Sequence, residues 1–294
     1  MVFLILSILS SASIYVIFKL IGRFKVHTFS AIVINYIAAC IAGFFLSKSN
    51  PFTLSIFQEK WFPIALLIGI MFIIMFYVIG KSTQKAGVAV TTVAVKMSVI
   101  FPIVFSIWYD AEDKLTLLKL IGITLAIASV ILTVYQKSST KMDWRAILLP
   151  AFIFIGMGIV DSFVKYSQSE YITNDLTPIF STLVFSSALT AGILILPFNR
   201  EAIKSLLSSK TILLGIILGL VNFGSMYFLI LALNHIDIST GKQAMGSVVF
   251  GINNIGIVAL CVIVGFLAFN ERPSRINWIG IATSGVAILI LSYS

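Results

Sequence analysis

Between residues 87 and 109 the chain reads GVAVTTVAVKMSVIFPIVFSIWY. This run is long enough to cross a bilayer, which takes about 20 apolar residues, yet it carries a lysine, Lys96, near its middle. Further along, Pro102 has no N–H to offer the Ser98 carbonyl, so the helix is expected to loosen beside the charge. An ionisable side chain at mid-membrane costs at least ~2.5 kcal/mol on insertion scales, and it has to face protein or water rather than lipid. The run therefore predicts a polar interior with the other segments arranged around it.

Runs of this kind fill the chain. Ten candidate spans fall at about 2–20, 29–46, 62–80, 87–109, 115–135, 147–166, 176–198, 211–233, 243–269 and 277–293, joined by short connections. The chain is 59% hydrophobic and only 11% charged, against about 25% charged in soluble domains. Its expected home is the lipid bilayer of the cell's inner (plasma) membrane, as a multi-pass protein. The net charge of +9 would suggest nucleic acid in a soluble chain. Here the basic residues sit in loops between apolar runs, so no nucleic-acid partner is expected.

The first run has no basic stretch before it and no small-residue cleavage site before Lys19, so it is expected to remain as a span. Cys40 and Cys261 both lie in apolar runs and are expected to be free, buried thiols. His27 and His235 lie in separate loops. No spacing suits a metal site, and no motif calls for a cofactor.

The two halves of the chain match one another. Leu120-Ile121-Gly122-Ile123 aligns with Trp278-Ile279-Gly280-Ile281, and in the same register Asp113-Lys114 falls on Glu271-Arg272. Met75-Phe76-Tyr77 aligns with Met226-Tyr227-Phe228, and Phe18-Lys19 with Val164-Lys165. Each match joins a span to the fifth one after it. An odd number of spans per copy makes the copies enter the membrane in opposite senses. The expected fold is thus all-α, with ten transmembrane helices as two inverted five-helix repeats, residues 1–137 and 147–294, around a central cavity.

The acidic–basic pair opening the fifth span of each half, the Ile-Gly-Ile that follows it and Pro102 resemble the EamA-type transporters of the drug/metabolite transporter superfamily. The resemblance covers the whole chain. It implies ten helices around a central cavity and secondary transport of small metabolites. At the position matching Pro102 the second half carries Leu260, so the ninth span is not expected to bend like the fourth.

Candidate substrate-binding residues follow from polar stripes inside the spans. In the ninth, Gln243, Ser247, Gly251 and Asn254 recur every three or four residues, and Asn254 is the counterpart of Lys96, with Asn253 beside it. The eighth offers Asn222 with Ser225, and the first offers Ser7, Ser11, Tyr15 and Lys19. In the sixth, Asp161 and Lys165 are spaced as a helical ion pair would be. The stripes predict a cavity lined by spans 1, 4, 6, 8 and 9, with Lys96, Asp161, Asn222, Asn254, Tyr15, Gln243 and Ser247 as its candidate ligands.

Plainer roles compete with these. Membrane serines often bond their own backbone, asparagines join helices, and Lys19 and Lys165 at span ends snorkel to the surface. Gly215 and Gly219 suit close helix packing.

The function expected is secondary active export of a small metabolite, such as an amino acid or similar zwitterion, by alternating access with a coupling proton or ion. Sugars, nucleosides or lipophilic drugs are the alternative cargo. An intramembrane enzyme is less favoured, because Asp161 is the clear buried carboxylate and no histidine falls inside a span. No phosphate-binding glycine loop is present either, which argues against ATP-driven transport by this chain alone. Basic residues in the odd-numbered loops outnumber those on the other side roughly two to one, which predicts that those loops are cytoplasmic and both termini outside.

Overall fold

The computed structural model of the chain describes residues 2–47, 51–109, 115–135, 144–172, 176–233 and 246–293. Within them the regular structure is helical, with no strand: α1 (Val2–Arg23), α2 (Thr28–Leu46), α3 (Phe62–Lys85), α4 (Val88–Met97), α5 (Ile100–Tyr109) and α6 (Leu117–Val134). There follow α7 (Trp144–Glu170), α8 (Thr177–Ile195), α9 (Arg200–Leu206), α10 (Ser209–Leu233), α11 (Gly246–Phe269) and α12 (Arg275–Ser292).

Among the described residues nine helical stretches are long and apolar enough to cross a membrane, and α4 with most of α5 counts as one of them. The expected tenth, in α6, is apolar but shorter, over Leu117–Thr133. The chain is a multi-pass, all-helical membrane protein. Large apolar side chains such as Phe45 on α2, Trp108 on α5 and Leu267 on α11 face outward. A hydrocarbon solvent accepts such a surface.

The fourth span breaks where the proline demands it. α4 ends at Met97 and α5 begins at Ile100. Pro102 leaves the Ser98 carbonyl without its usual partner, and the Phe101 N–H takes it instead at 3.0 Å, tightening the turn. α11 has leucine at the matching position and runs unbroken from Gly246 to Phe269.

Helix contacts recur in pairs across the chain. α2 packs on α10 as α3 packs on α8; α1 lies on α10 and α11 as α7 lies on α3 and α4. α6 packs against α12. Gly215 and Gly219 let α10 close on α2, since a Cβ on Gly219 would stand 2.4 Å from the Asn35 carbonyl oxygen. At the start of α12, Ser274 and Asn277 form a capping box. The Asn277 amide then donates to the Thr133 and Tyr135 carbonyls at 2.8 and 2.9 Å, satisfying the open end of α6.

One end of the bundle gathers the end of α1, the α3–α4 turn, α9 and the α11–α12 turn. Lys19 at the end of α1 reaches the Thr83 carbonyl of α3 at 3.3 Å, and Ser30 of α2 donates to the Ala202 carbonyl of α9 at 2.8 Å. From this end α4 and α7 run inward side by side, with Asp161 beside Ser98 and Tyr166 against Phe105. α1 and α11 run toward it, meeting at Ile8–Gly256 and Lys19–Glu271. α1 and α7 therefore point in opposite senses.

Candidate functional site: a polar centre and a charged closure

Polar side chains from α1, α4, α7 and α11 converge in the middle of the bundle. Asp161, half-buried on α7, accepts a hydrogen bond from the Ser98 hydroxyl at the break in the fourth span, 3.0 Å away. Lys96, on the last turn of α4, interacts with the Asp161 charge through space without closing to ion-pair distance. Tyr15 of α1, 5% exposed, lies within the field of Asp161 and beside Cys261 of α11. The Thr92 hydroxyl, one turn before Lys96, donates to the Val88 carbonyl at 2.8 Å and lies near the Cys261 thiol. Lys96, Tyr15 and Asp161 were expected at one site, and the fold brings them together.

Asn222 goes elsewhere. Asn222 of α10 is buried and donates to the Asn35 side chain of α2 at 3.2 Å, joining two helices away from Lys96. Rotating the Asn35 amide turns its nitrogen toward Asn222 in place of that oxygen and brings the Tyr36 N–H and the Leu218 carbonyl into reach. Asn254 is half-buried, whereas its neighbour Asn253 is only 2% exposed and its side-chain oxygen has no hydrogen-bond partner. Asn253 shares its face of α11 with Ile257 and Cys261. Ser247 falls in the first turn of α11, and Gln243 lies outside the described residues. Ser7 donates to the Ser225 carbonyl at 3.0 Å and so ties α1 to α10. Asp161 turns to Ser98 rather than to Lys165, which is exposed. Cys261 and Ser98 were not among the expected ligands; serine at a proline-loosened turn was the signal for Ser98.

One turn out from the centre, the Lys19 end of the bundle is closed by a carboxylate. Glu271 takes an ion pair from Lys19 at 2.8 Å and receives the Val88 N–H on both oxygens, at 2.9 and 3.0 Å. It therefore caps α4 with a negative charge, where the helix dipole favours one. Gly87, at φ +104°, leads into that cap, and a Cβ there would stand 2.9 Å from the carboxylate. Lys19, its side chain 21% exposed, ends on the Glu271 carboxylate and the Thr83 carbonyl.

His27, in the turn between α1 and α2, shares a hydrogen bond with the Ser30 hydroxyl at 3.1 Å. Partial burial holds its imidazole below the usual range, and the Lys81 charge adds to this against the smaller pull of Glu201. Among the described residues no three His, Cys, Asp or Glu side chains gather as a metal site would require.

No protein-family model matches the chain. An uncharacterized protein of Haemophilus influenzae is 29% identical over 296 residues, covering 99% of this chain and 97% of that protein. A solved crystal structure superposes with a TM-score of 0.58 at 12% identity, over 98% of this chain and 94% of that one. At that identity the likeness is one of fold.

Proposed function

We propose that the protein is a secondary transporter that moves a small zwitterionic metabolite, such as an amino acid, by alternating access. The observation that carries this reading is the opposed pair Lys96 and Asp161 at a broken helix inside an apolar bundle. Charges in a membrane interior mark solute or ion paths by default, and discontinuous helices with freed backbone groups are how many transporters build midplane sites. Lys96 would take a carboxylate and Asp161 an ammonium group, with the Ser98 and Tyr15 hydroxyls adding neutral contacts. Asp161 is also the carboxylate available to a coupling proton.

The paired helix contacts support two inverted repeats, with α1–α6 matching α7–α12 once the broken fourth span is counted as one and the short α9 is set aside. That arrangement would place the charged site at the interface of the halves. The EamA-like pattern of Glu271-Arg272 and the following Ile-Gly-Ile agrees with it.

The test is a thermal-shift screen of purified protein against amino acids, sugars, nucleosides and lipophilic cations, followed by counterflow of any hit in proteoliposomes. A zwitterion that stabilises the protein and exchanges across the bilayer is the expected result. Stabilisation and exchange by lipophilic cations alone would reject the zwitterion reading.

A further inference from the structure

Beneath the Lys19–Glu271 pair the three helices that hold it descend straight into the polar centre. One turn inward from Lys19 on α1 is Tyr15, one turn inward from Gly265 on α11 is Cys261, and from Val88 on α4 come Thr92 and then Lys96. Outside the pair lies a cleft of about 470 Å³ lined by Lys19, Gly22, Arg23, Gln84, Ala268 and Asn270, among others. The ion pair thus separates an open cleft from the site where charges meet.

Glu271 is placed there by its backbone and not by a helix. Asn270 adopts φ +53°, and the Glu271 N–H donates to the Gly265 carbonyl at 2.9 Å, which turns the residue back over the end of α11. Its carboxylate lies against two glycines. A Cβ on Gly265 would come within 2.8 Å of it and one on Gly87 within 2.9 Å. Capping α4 requires only an acceptor near Val88. The reach of Lys19, with its ion pair and its bond to the Thr83 carbonyl, goes beyond that need.

We infer that Lys19 and Glu271 are gating residues: their ion pair closes the polar centre toward this cleft and parts when a solute passes. The inference rests on the transport reading, yet the closure can be measured without any solute. Cys261 is fully buried just inside the pair, and Cys40, on α2, is the second of the chain's two cysteines. Cys40→Ser leaves Cys261 as the reporter, and Cys261→Ser leaves Cys40 as the control for general loosening.

The experiment measures the rate at which a hydrophilic methanethiosulfonate modifies each single-cysteine protein in detergent. Glu271→Gln keeps an acceptor oxygen for the Val88 N–H while removing the ion pair, and Lys19→Met leaves the cap untouched. Each is expected to speed Cys261 modification by about tenfold or more with the Cys40 rate unchanged. The double variant is expected to go no faster than the singles, because the two residues act as one unit. An unchanged Cys261 rate in both variants, or an equal rise at Cys40, overturns the gate and leaves Glu271 as a helix cap. Should Glu271→Gln fail to fold, Lys19→Met alone decides. A protein that passes this test but carries no solute in proteoliposomes keeps the closure and loses the transport reading.

Discussion

The broken fourth span and the continuous α11 align in sequence, Pro102 on Leu260, yet they handle polarity in different ways. In the first half Pro102 opens the helix, and the freed turn presents Ser98 and Lys96 to Asp161. In the second half Leu260 lets the helix run through, and its polar side chain at that depth, Asn253, is left with an unpaired oxygen. A charge in the membrane interior needs mobile partners around it; a neutral amide can sit in a rigid wall. The fourth span thus brings a lysine and a hydroxyl to the side of Asp161, and α11 brings a neutral amide.

Exchanging the backbones should show this most strongly. Leu260→Pro forces a break where α11 makes its full ladder, and is expected to destabilise the protein by about 3 kcal/mol or more. The converse change, Pro102→Ala, meets a turn already satisfied through Phe101 and is expected to alter stability by less than about 1 kcal/mol. Melting of the detergent-solubilised variants checks both. Similar losses from the two would erase the distinction.

The two buried asparagines sharpen the contrast at a smaller scale. Asn222→Leu strips Asn35 of its partner in a buried contact and is expected to cost about 1–3 kcal/mol. Asn253→Leu removes an oxygen that bonds nothing, so it is expected to be neutral or slightly stabilising. Melting midpoints of the two variants read the difference directly. A large loss from Asn253→Leu would mean that its oxygen is satisfied in the folded protein.

The smallest effect concerns His27, at the end where the halves are held by charge. Its folded-state pKa lies below the ordinary value, so the unfolded chain takes up the proton first as the pH falls. The stability tied to neutral His27 is present above about pH 6.5 and is lost as the pH drops toward the depressed value. His27→Gln is expected to flatten that part of the melting-versus-pH curve. An unaltered curve would assign the dependence to other groups.

Much of this was legible in the chain because single residues dictated it. Lys96 in an apolar run demanded an interior, Pro102 demanded a break, and Leu260 demanded none. What could not be read was helix rotation. The alignment pairs Lys96 with Asn254, but adjacent residues differ by about 100° around a helix, and the more deeply buried of the two asparagines is Asn253. Asp161 was matched to Lys165 by spacing on one helix, whereas its partner Ser98 comes from another. Cys261 carried no polar signature, and Lys19 and Glu271 each looked like an ordinary span end. Their meeting depends on a loop turned back by Asn270, which no periodicity encodes.

The central claim is that Lys96 belongs to the solute site, and flux measures it most directly. Lys96→Met keeps the length and apolar fit of the side chain while removing its charge. In proteoliposomes loaded with the zwitterion that most stabilises the native protein, the variant is expected to insert and melt normally and to lose exchange by at least about tenfold. Exchange at the native rate by a normally folded Lys96→Met protein would contradict the account.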